Sequence, residues 1–220
     1  MIDQDRLKKK CQALSIPLTD GQAALLEQYA RLLVEYNQKV NLTAITDPEG
    51  IEDKHFVDSL IFAAQPEVQG RLVDVGTGAG FPGLVAKIYK PKISLVLMEP
   101  TGKRVEFAKE RAEEAARKGW RESFDLASAR AVAGLPILCE YCLPLVKPGG
   151  WMIALKGSGA EEEAHAAAGA LRRLGGGEME LRPFRLPAGD ERNLVYIKKI
   201  SQTPTAYPRN GGKIAKSPLK

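Results

Sequence analysis

The sequence predicts an α/β fold in which a parallel sheet carries a glycine-rich loop and a layer of helices precedes the first strand. Three observations support this. Leu72, Val73 and Val75 are strand formers that run into Gly76, Gly78 and Gly80, after which Pro82 suits the first turn of a helix. A second apolar run, residues 93–98, ends on the acid Glu99. Ahead of residue 70, apolar residues recur at helical rather than alternating spacing.

Taken in order, residues 4–14 read as a short amphipathic helix. Thr19 followed by Gln22 has the form of a capping box, and Leu25, Tyr29, Leu32, Tyr36 and Val40 then recur at helical spacing, joined by Leu26 and Leu33. Residues 37–46 form a polar turn region, and residues 48–63 return to helix with Ile51, His55, Asp58, Ser59 and Phe62 near one side. His55 and Asp58, three apart on that helix, are close enough to pair and so to brace the helical layer against the core, with a general-base role as the alternative. Residues 1–66 are thus expected to form a helical cap packed on a core of residues 67–220.

After Glu99 a helix is expected over residues 102–118, then a strand over 124–130 tipped by Arg130. Residues 136–145 have a helical pattern, Pro148-Gly149-Gly150 turns, and residues 151–157 form the next strand. An alanine-rich helix over 161–174 precedes two apolar segments, 179–186 and 194–200, separated by Ala188-Gly189-Asp190, which read as a terminal antiparallel pair. No internal repeat or long linker divides the chain.

The loop spacing is G-x-G-x-G, and Phe81 stands where the dinucleotide fingerprint G-x-G-x-x-G places its last glycine, which disfavours tight packing on a pyrophosphate. Asp74 at the end of the first strand puts negative charge toward the cofactor crevice, better suited to the ammonium of a methionine moiety than to a phosphate. Glu99, at the tip of the second strand, is placed to accept hydrogen bonds from ribose hydroxyls. Together these put S-adenosylmethionine ahead of a nicotinamide cofactor.

With 220 residues, 44% of them hydrophobic, the chain can bury one good core plus a small appendage. No apolar run approaches 18 residues and the polar start lacks a signal-peptide core, so a soluble cytoplasmic protein is expected. Cys139 and Cys142 form a lone C-x-x-C on a helical pattern, read as buried thiols rather than zinc ligands. The formal net charge is +5, and from Lys198 to Lys220 the chain carries Lys198, Lys199, Arg209, Lys213, Lys216 and Lys220 with no acid. Beside a nucleoside-cofactor pocket such a tail is expected to meet phosphates; the alternative is a solubility device.

Several further motifs, in order, resemble the RsmG (GidB) family of bacterial methyltransferases, which act on N7 of a guanine in small-subunit ribosomal RNA. They are Tyr36-Asn37 with Val40-Asn41-Leu42-Thr43, His55 with Asp58-Ser59, the run from Asp74 to Gly83, Gly102-Lys103-Arg104, Ala129-Arg130-Ala131-Val132-Ala133, Lys156-Gly157, and in the tail Tyr207-Pro208-Arg209, Gly212 and Lys216-Ser217-Pro218-Leu219. The resemblance implies a Rossmann-like, class I S-adenosylmethionine-dependent methyltransferase sheet. It implies cofactor contacts at Gly76, Phe81, the Ala112-Glu113 pair and Arg130, beside the Asp74, Gly78, Gly80 and Glu99 read from the loop itself. Lys103, Arg104, Lys156, Arg209, Lys213 and Lys216 become candidates for the RNA face. The implied substrate is a guanine of the 530 loop of 16S ribosomal RNA, presented as RNA or as a small-subunit particle to a monomeric enzyme, with no metal. A methyltransferase acting on a small molecule and a non-catalytic RNA-binding protein are the alternatives.

One departure stands out. The family carries a strand of the sheet between the Gly102-Lys103-Arg104 helix and the Arg111-Ala112-Glu113-Glu114 motif, and here only residues 105–110 separate them. About 20 residues are therefore expected to be lacking after Phe107, at a cost to backbone pairing and to the adenine pocket.

Overall fold

A computed structural model describes residues 1–99 and 119–219. Its centre is a six-stranded sheet formed by β1 (Arg71–Val75), β2 (Ser94–Met98), β3 (Phe124–Arg130), β4 (Val146–Lys156), β5 (Gly176–Arg185) and β6 (Glu191–Lys199), in the spatial order β2-β1-β3-β4-β6-β5. The first four strands in that order run parallel, while β6 and β5 are antiparallel additions. The order reverses at β1, whose neighbours are β2 on one side and β3 on the other, so the crevice at a switch point opens above the carboxyl ends of β1 and β3.

Alternation along the strands divides the core into two. Leu72, Leu126, Ile153, Leu155, Leu194 and Tyr196 point to the face covered by the N-terminal helices. Val73, Val75, Ala127, Ala129, Met152, Ala154, Val195 and Ile197 point to the other face. That second face is covered by α5 (Leu135–Cys142) and α6 (Ala160–Leu174), with Leu219 of the tail closing it. Cys139 and Cys142 lie in this layer as buried free thiols, and burial pushes the Cys139 thiol up to about 12.

The N-terminal layer comprises α1 (Gln4–Ala13), α2 (Asp20–Val40) and a continuous helical run, α3, over residues 48–63. Thr19 and Gln22 form the reciprocal capping box at the start of α2. In the middle of α3, Ile51–Val57 is wound as a π-helix, and buried Glu52 there receives Arg6 at 2.7 Å and Lys10 at 3.1 Å from α1. The short α4 (Gly83–Tyr89) follows the glycine loop and packs between α2 and the sheet. Cap and sheet share one apolar cluster, so residues 1–66 are a layer of the fold rather than a detached unit.

Two details go beyond the sequence pattern. On α2 the buried positions are Ala23, Leu26, Ala30 and Leu33, whereas Leu25, Leu32, Tyr36 and Val40 are exposed. The helix has two apolar stripes, and the one bearing small alanines is the one that lets it approach its neighbours closely. The tail is packed: it forms α7 (Gly211–Lys216) around buried Ile214, and Leu219 beyond it is buried as well.

Candidate functional site

The loop between β1 and α4 is built by an extended strand meeting three glycines with φ of +70° at Gly76, +56° at Gly78 and +101° at Gly80. A Cβ on Gly76 would fall 2.4 Å from Val132 Cγ2, and one on Gly80 would fall 2.6 Å from the Tyr29 hydroxyl. These two glycines are demanded by close packing of the loop against its own protein. Gly78 differs: among the described residues no atom beyond its chain neighbours lies within 4 Å of where its Cβ would stand, so this side of the loop is open.

Asp74 organises this loop from beneath. Its carboxylate is fully buried and accepts hydrogen bonds from Thr77 Oγ1 at 2.6 Å, Ser128 Oγ at 2.8 Å and the Gly83 backbone N–H at 3.1 Å. Burial pushes its carboxyl upward against those three donors, which favour the charged form. The expectation that Asp74 faces the crevice and meets an ammonium is corrected accordingly. Its partners are protein groups, and its role is to tie β1, β3 and the start of α4 together. Thr77 was seen only as part of the loop motif, and Ser128, which completes this arrangement, gave no signal in the sequence.

Glu99 stands across the loop, nearly buried, and its Oε2 accepts the Gly78 N–H at 2.8 Å. The Gly76 and Thr77 amides are held by the Met98 carbonyl at 2.7 and 3.1 Å. The acid at the tip of β2 and the open glycine of the β1 loop are thus neighbours.

Phe81, almost fully buried, is the floor of the other half of the site. His55 stacks on it at 4.5 Å between centroids, Tyr29 at 5.1 Å, and the Arg130 guanidinium lies 4.8 Å from its centroid. Tyr29 also donates to the Ala79 carbonyl at 2.5 Å, so α2 clamps the loop directly. Arg130, at the carboxyl end of β3, donates through Nη1 to Asp58 Oδ2 at 2.9 Å and to the Lys54 carbonyl at 3.0 Å; its Nη2 lies 3.2 Å from His55 Nδ1. His55 and Asp58 therefore meet on Arg130, between them, rather than pairing with each other. Burial and the neighbouring Arg130 push the His55 imidazole down to about 4, so it is neutral at physiological pH.

The residues expected to meet RNA separate into three groups. Lys156 is held by the Ala133 carbonyl at 2.6 Å and Glu163 at 2.7 Å, which braces β4 against the start of α6. Arg209 donates from Nη2 to buried Glu140 at 2.6 Å and from Nε at 2.9 Å, and its backbone N–H reaches the same carboxylate at 2.8 Å. Each of these cations is thus tied to a carboxylate of the protein, Glu163 partly exposed and Glu140 buried. Lys213 and Lys216 remain, exposed on α7. Lys103, Arg104, Ala112 and Glu113, together with the gap expected after Phe107, lie outside the described residues.

A surface cavity of about 510 Å³ lies at the opposite pole, lined by Gly70, Asp125, Gly150 and Trp151 among others at the amino ends of the parallel strands. It is remote from the glycine loop, and its Asp125 is paired with Lys147.

With this geometry in view, comparison with known proteins is specific. The family model of GidB, rRNA small subunit methyltransferase G, matches residues 22–195. The chain belongs to this family. Ribosomal RNA small subunit methyltransferase G of Moorella thermoacetica is 45% identical over the whole of both chains, and that of Alkaliphilus metalliredigens is 44% identical over 97% of this chain and 98% of its own. Among solved structures, a predicted O-methyltransferase from Agrobacterium tumefaciens is 22% identical, with a TM-score of 0.51 covering 69% of this chain and 82% of that one, a likeness of fold. The chain thus has the Rossmann-like sheet of class I S-adenosylmethionine-dependent methyltransferases with an N-terminal helical layer. The pairing with the Moorella protein extends over 240 positions while this chain has 220 residues, so at least 20 paired positions lack a residue here.

Proposed function

We propose that this chain transfers the methyl group of S-adenosylmethionine to N7 of a guanine in the 530 loop of 16S ribosomal RNA, acting as a cytoplasmic monomer on the RNA or a small-subunit particle. Family membership supports methyl transfer to small-subunit ribosomal RNA. The observation that carries the cofactor is the open side of Gly78 beside Glu99 at the switch point of the sheet. Gly76, Gly78, Gly80, Phe81, Glu99 and Arg130 are the residues assigned to hold it. Glu99 supplies carboxylate oxygens to ribose hydroxyls, Gly78 leaves the space, and Arg130 supplies cationic donors at the end of β3. Among the described residues no group of three or more His, Cys, Asp or Glu side chains could hold a metal ion, and no helix is long and apolar enough to cross a membrane.

The bound cofactor supplies a methyl group already activated on a sulfonium. Guanine N7 presents an in-plane lone pair and no proton, so attack needs no general base. The protein's task is orientation, bringing the reacting atoms to roughly 3–3.5 Å in a pocket with little water. A neutral His55 turned toward Arg130 and Thr43 fits this: no residue need take a proton. Competition settles the substrate class. Labelled methyl should enter undermodified small-subunit RNA in preference to any component of a metabolite extract; transfer to a metabolite alone would make the chain a small-molecule methyltransferase.

Salt dependence tests the surviving basic candidates. Replacing Lys213 and Lys216 by alanine should lower the slope of log affinity against log salt by up to ~1.8 if both neutralise duplex-like phosphates, or ~1.4 on single strands. An unchanged slope would remove α7 from the RNA face.

A further inference from the structure

Asn37, Thr43, His55 and Asp58 have no part in the transfer step, yet hydrogen bonds connect all four to Arg130. The Asn37 carboxamide bonds the Thr43 backbone both ways, donating to its carbonyl at 2.9 Å and accepting its N–H at 2.8 Å, which fixes the loop leaving α2. Thr43 Oγ1 accepts the Ile45 N–H at 3.0 Å and lies 2.9 Å from His55 Nε2. The other ring nitrogen, Nδ1, faces Arg130 Nη2. A guanidinium can only donate, so Nδ1 carries the lone pair, Nε2 carries the proton, and Nε2 donates to Thr43. One tautomer satisfies both neighbours. On its far side Arg130 is held by Asp58 and the Lys54 carbonyl, and below by the Phe81 ring.

We infer that Thr43 and His55 are positioning residues that hold Arg130 in its cofactor-binding orientation, so that the placement of the cap loop over residues 41–46 sets cofactor affinity. This rests on the reading that Arg130 contacts the cofactor. The geometry excludes a looser role for the imidazole. It is stacked on Phe81, its two nitrogens are both committed, and a proton added at Nδ1 would set a second cation against the guanidinium. The relay also gives the Asn37, Thr43, His55 and Asp58 motif residues a function that base catalysis does not.

The test is a thermodynamic cycle read by calorimetric binding of S-adenosylhomocysteine, with thermal unfolding recorded for each variant. Thr43→Val, which keeps volume and removes the hydroxyl, should weaken binding about tenfold, the scale of one hydrogen bond that orients a charged group. Arg130→Ala should weaken it at least as much, and adding Thr43→Val to Arg130→Ala should weaken it no further. Independently, His55→Gln, which offers one acceptor and one donor, should bind within about threefold of the unaltered chain, and His55→Leu should lose about tenfold. Equal losses from Thr43→Val in both backgrounds, no loss in the unaltered background, or equal losses for the two His55 variants would overturn the relay. Undiminished binding by Arg130→Ala would instead remove Arg130 from the cofactor site, and the relay with it.

Discussion

Gly78→Trp is expected to abolish cofactor binding, by a factor of more than about 100, while leaving the fold intact. Gly78 has φ of +56°, and a Cβ there meets nothing within 4 Å among the described residues. The substitution therefore carries only the cost of a non-glycine residue in left-handed conformation, roughly 1–2 kcal/mol, and the indole occupies the space assigned to the ligand. Gly76→Ala is the informative contrast. Its Cβ would fall 2.4 Å from Val132 Cγ2, so it damages the packing of the loop and lowers stability as well as binding. Binding of S-adenosylhomocysteine and thermal unfolding, measured together, separate the two. Retained affinity in Gly78→Trp would move the cofactor away from this loop.

Arg209→Ala is expected to produce the largest loss of stability, about 3–5 kcal/mol, or a fall in Tm of roughly 6–20 °C for a chain of this size. The reason is Glu140, which is fully buried and whose two oxygens receive the Arg209 side chain and backbone. Truncating Arg209 leaves that carboxylate desolvated and short of its principal donors. It also removes the bond from Arg209 Nη2 to the Ser217 carbonyl at 2.9 Å, which closes the tail on itself. The double variant Glu140→Gln/Arg209→Met should recover much of the loss, because no buried charge is left unmatched. Lys213→Ala, exposed on the same tail, should shift stability by no more than about 0.5 kcal/mol. A Tm change in Arg209→Ala as small as that of Lys213→Ala would restore Arg209 to the RNA face.

The contrast between these lysines and arginines shows what the sequence could and could not reveal. Strand runs, the glycine loop, the capping box at Thr19 and the closing antiparallel pair were legible because each depends on neighbours along the chain. The loop and the strand-tip acid were each legible because a strand, a loop and an acid in that order have few alternative arrangements, whereas the bond between Gly78 and Glu99 was not. Arg209 and Lys156 looked identical to Lys213 in a charge count. What distinguishes them is a carboxylate partner elsewhere in the chain, buried Glu140 for Arg209 and partly exposed Glu163 for Lys156. Asp74 misled for a related reason: an acid at a strand tip points into the crevice unless neighbouring donors take it up, and Thr77, Ser128 and Gly83 take it up. His55 and Asp58 were read as a pair from helical spacing, but Arg130 arrives from β3 and accepts neither spacing nor sequence distance as a guide.

Arg121 and Lys199 add to the same account of the tail. Arg121 donates to the carbonyls of Tyr207 at 2.6 Å and Pro204 at 3.0 Å, while fully buried Lys199 donates to the Leu143 carbonyl at 2.6 Å and to Thr203 Oγ1 at 2.5 Å. Burial lowers the Lys199 ammonium to about 8, against the attraction of Glu122. Of the stretch of positive charge, Lys199 and Arg209 thus help fasten the C-terminal segment, while Lys213 and Lys216 stay exposed.

The most direct test of the central claim is to map the modified atom. Small-subunit RNA lacking the modification, incubated with the chain and S-adenosylmethionine, should become sensitive to the reduction and aniline cleavage that report 7-methylguanine, at one guanine in the 530 loop. Cleavage at no guanine, or methyl recovered on a ring nitrogen or exocyclic group other than N7, would contradict the account.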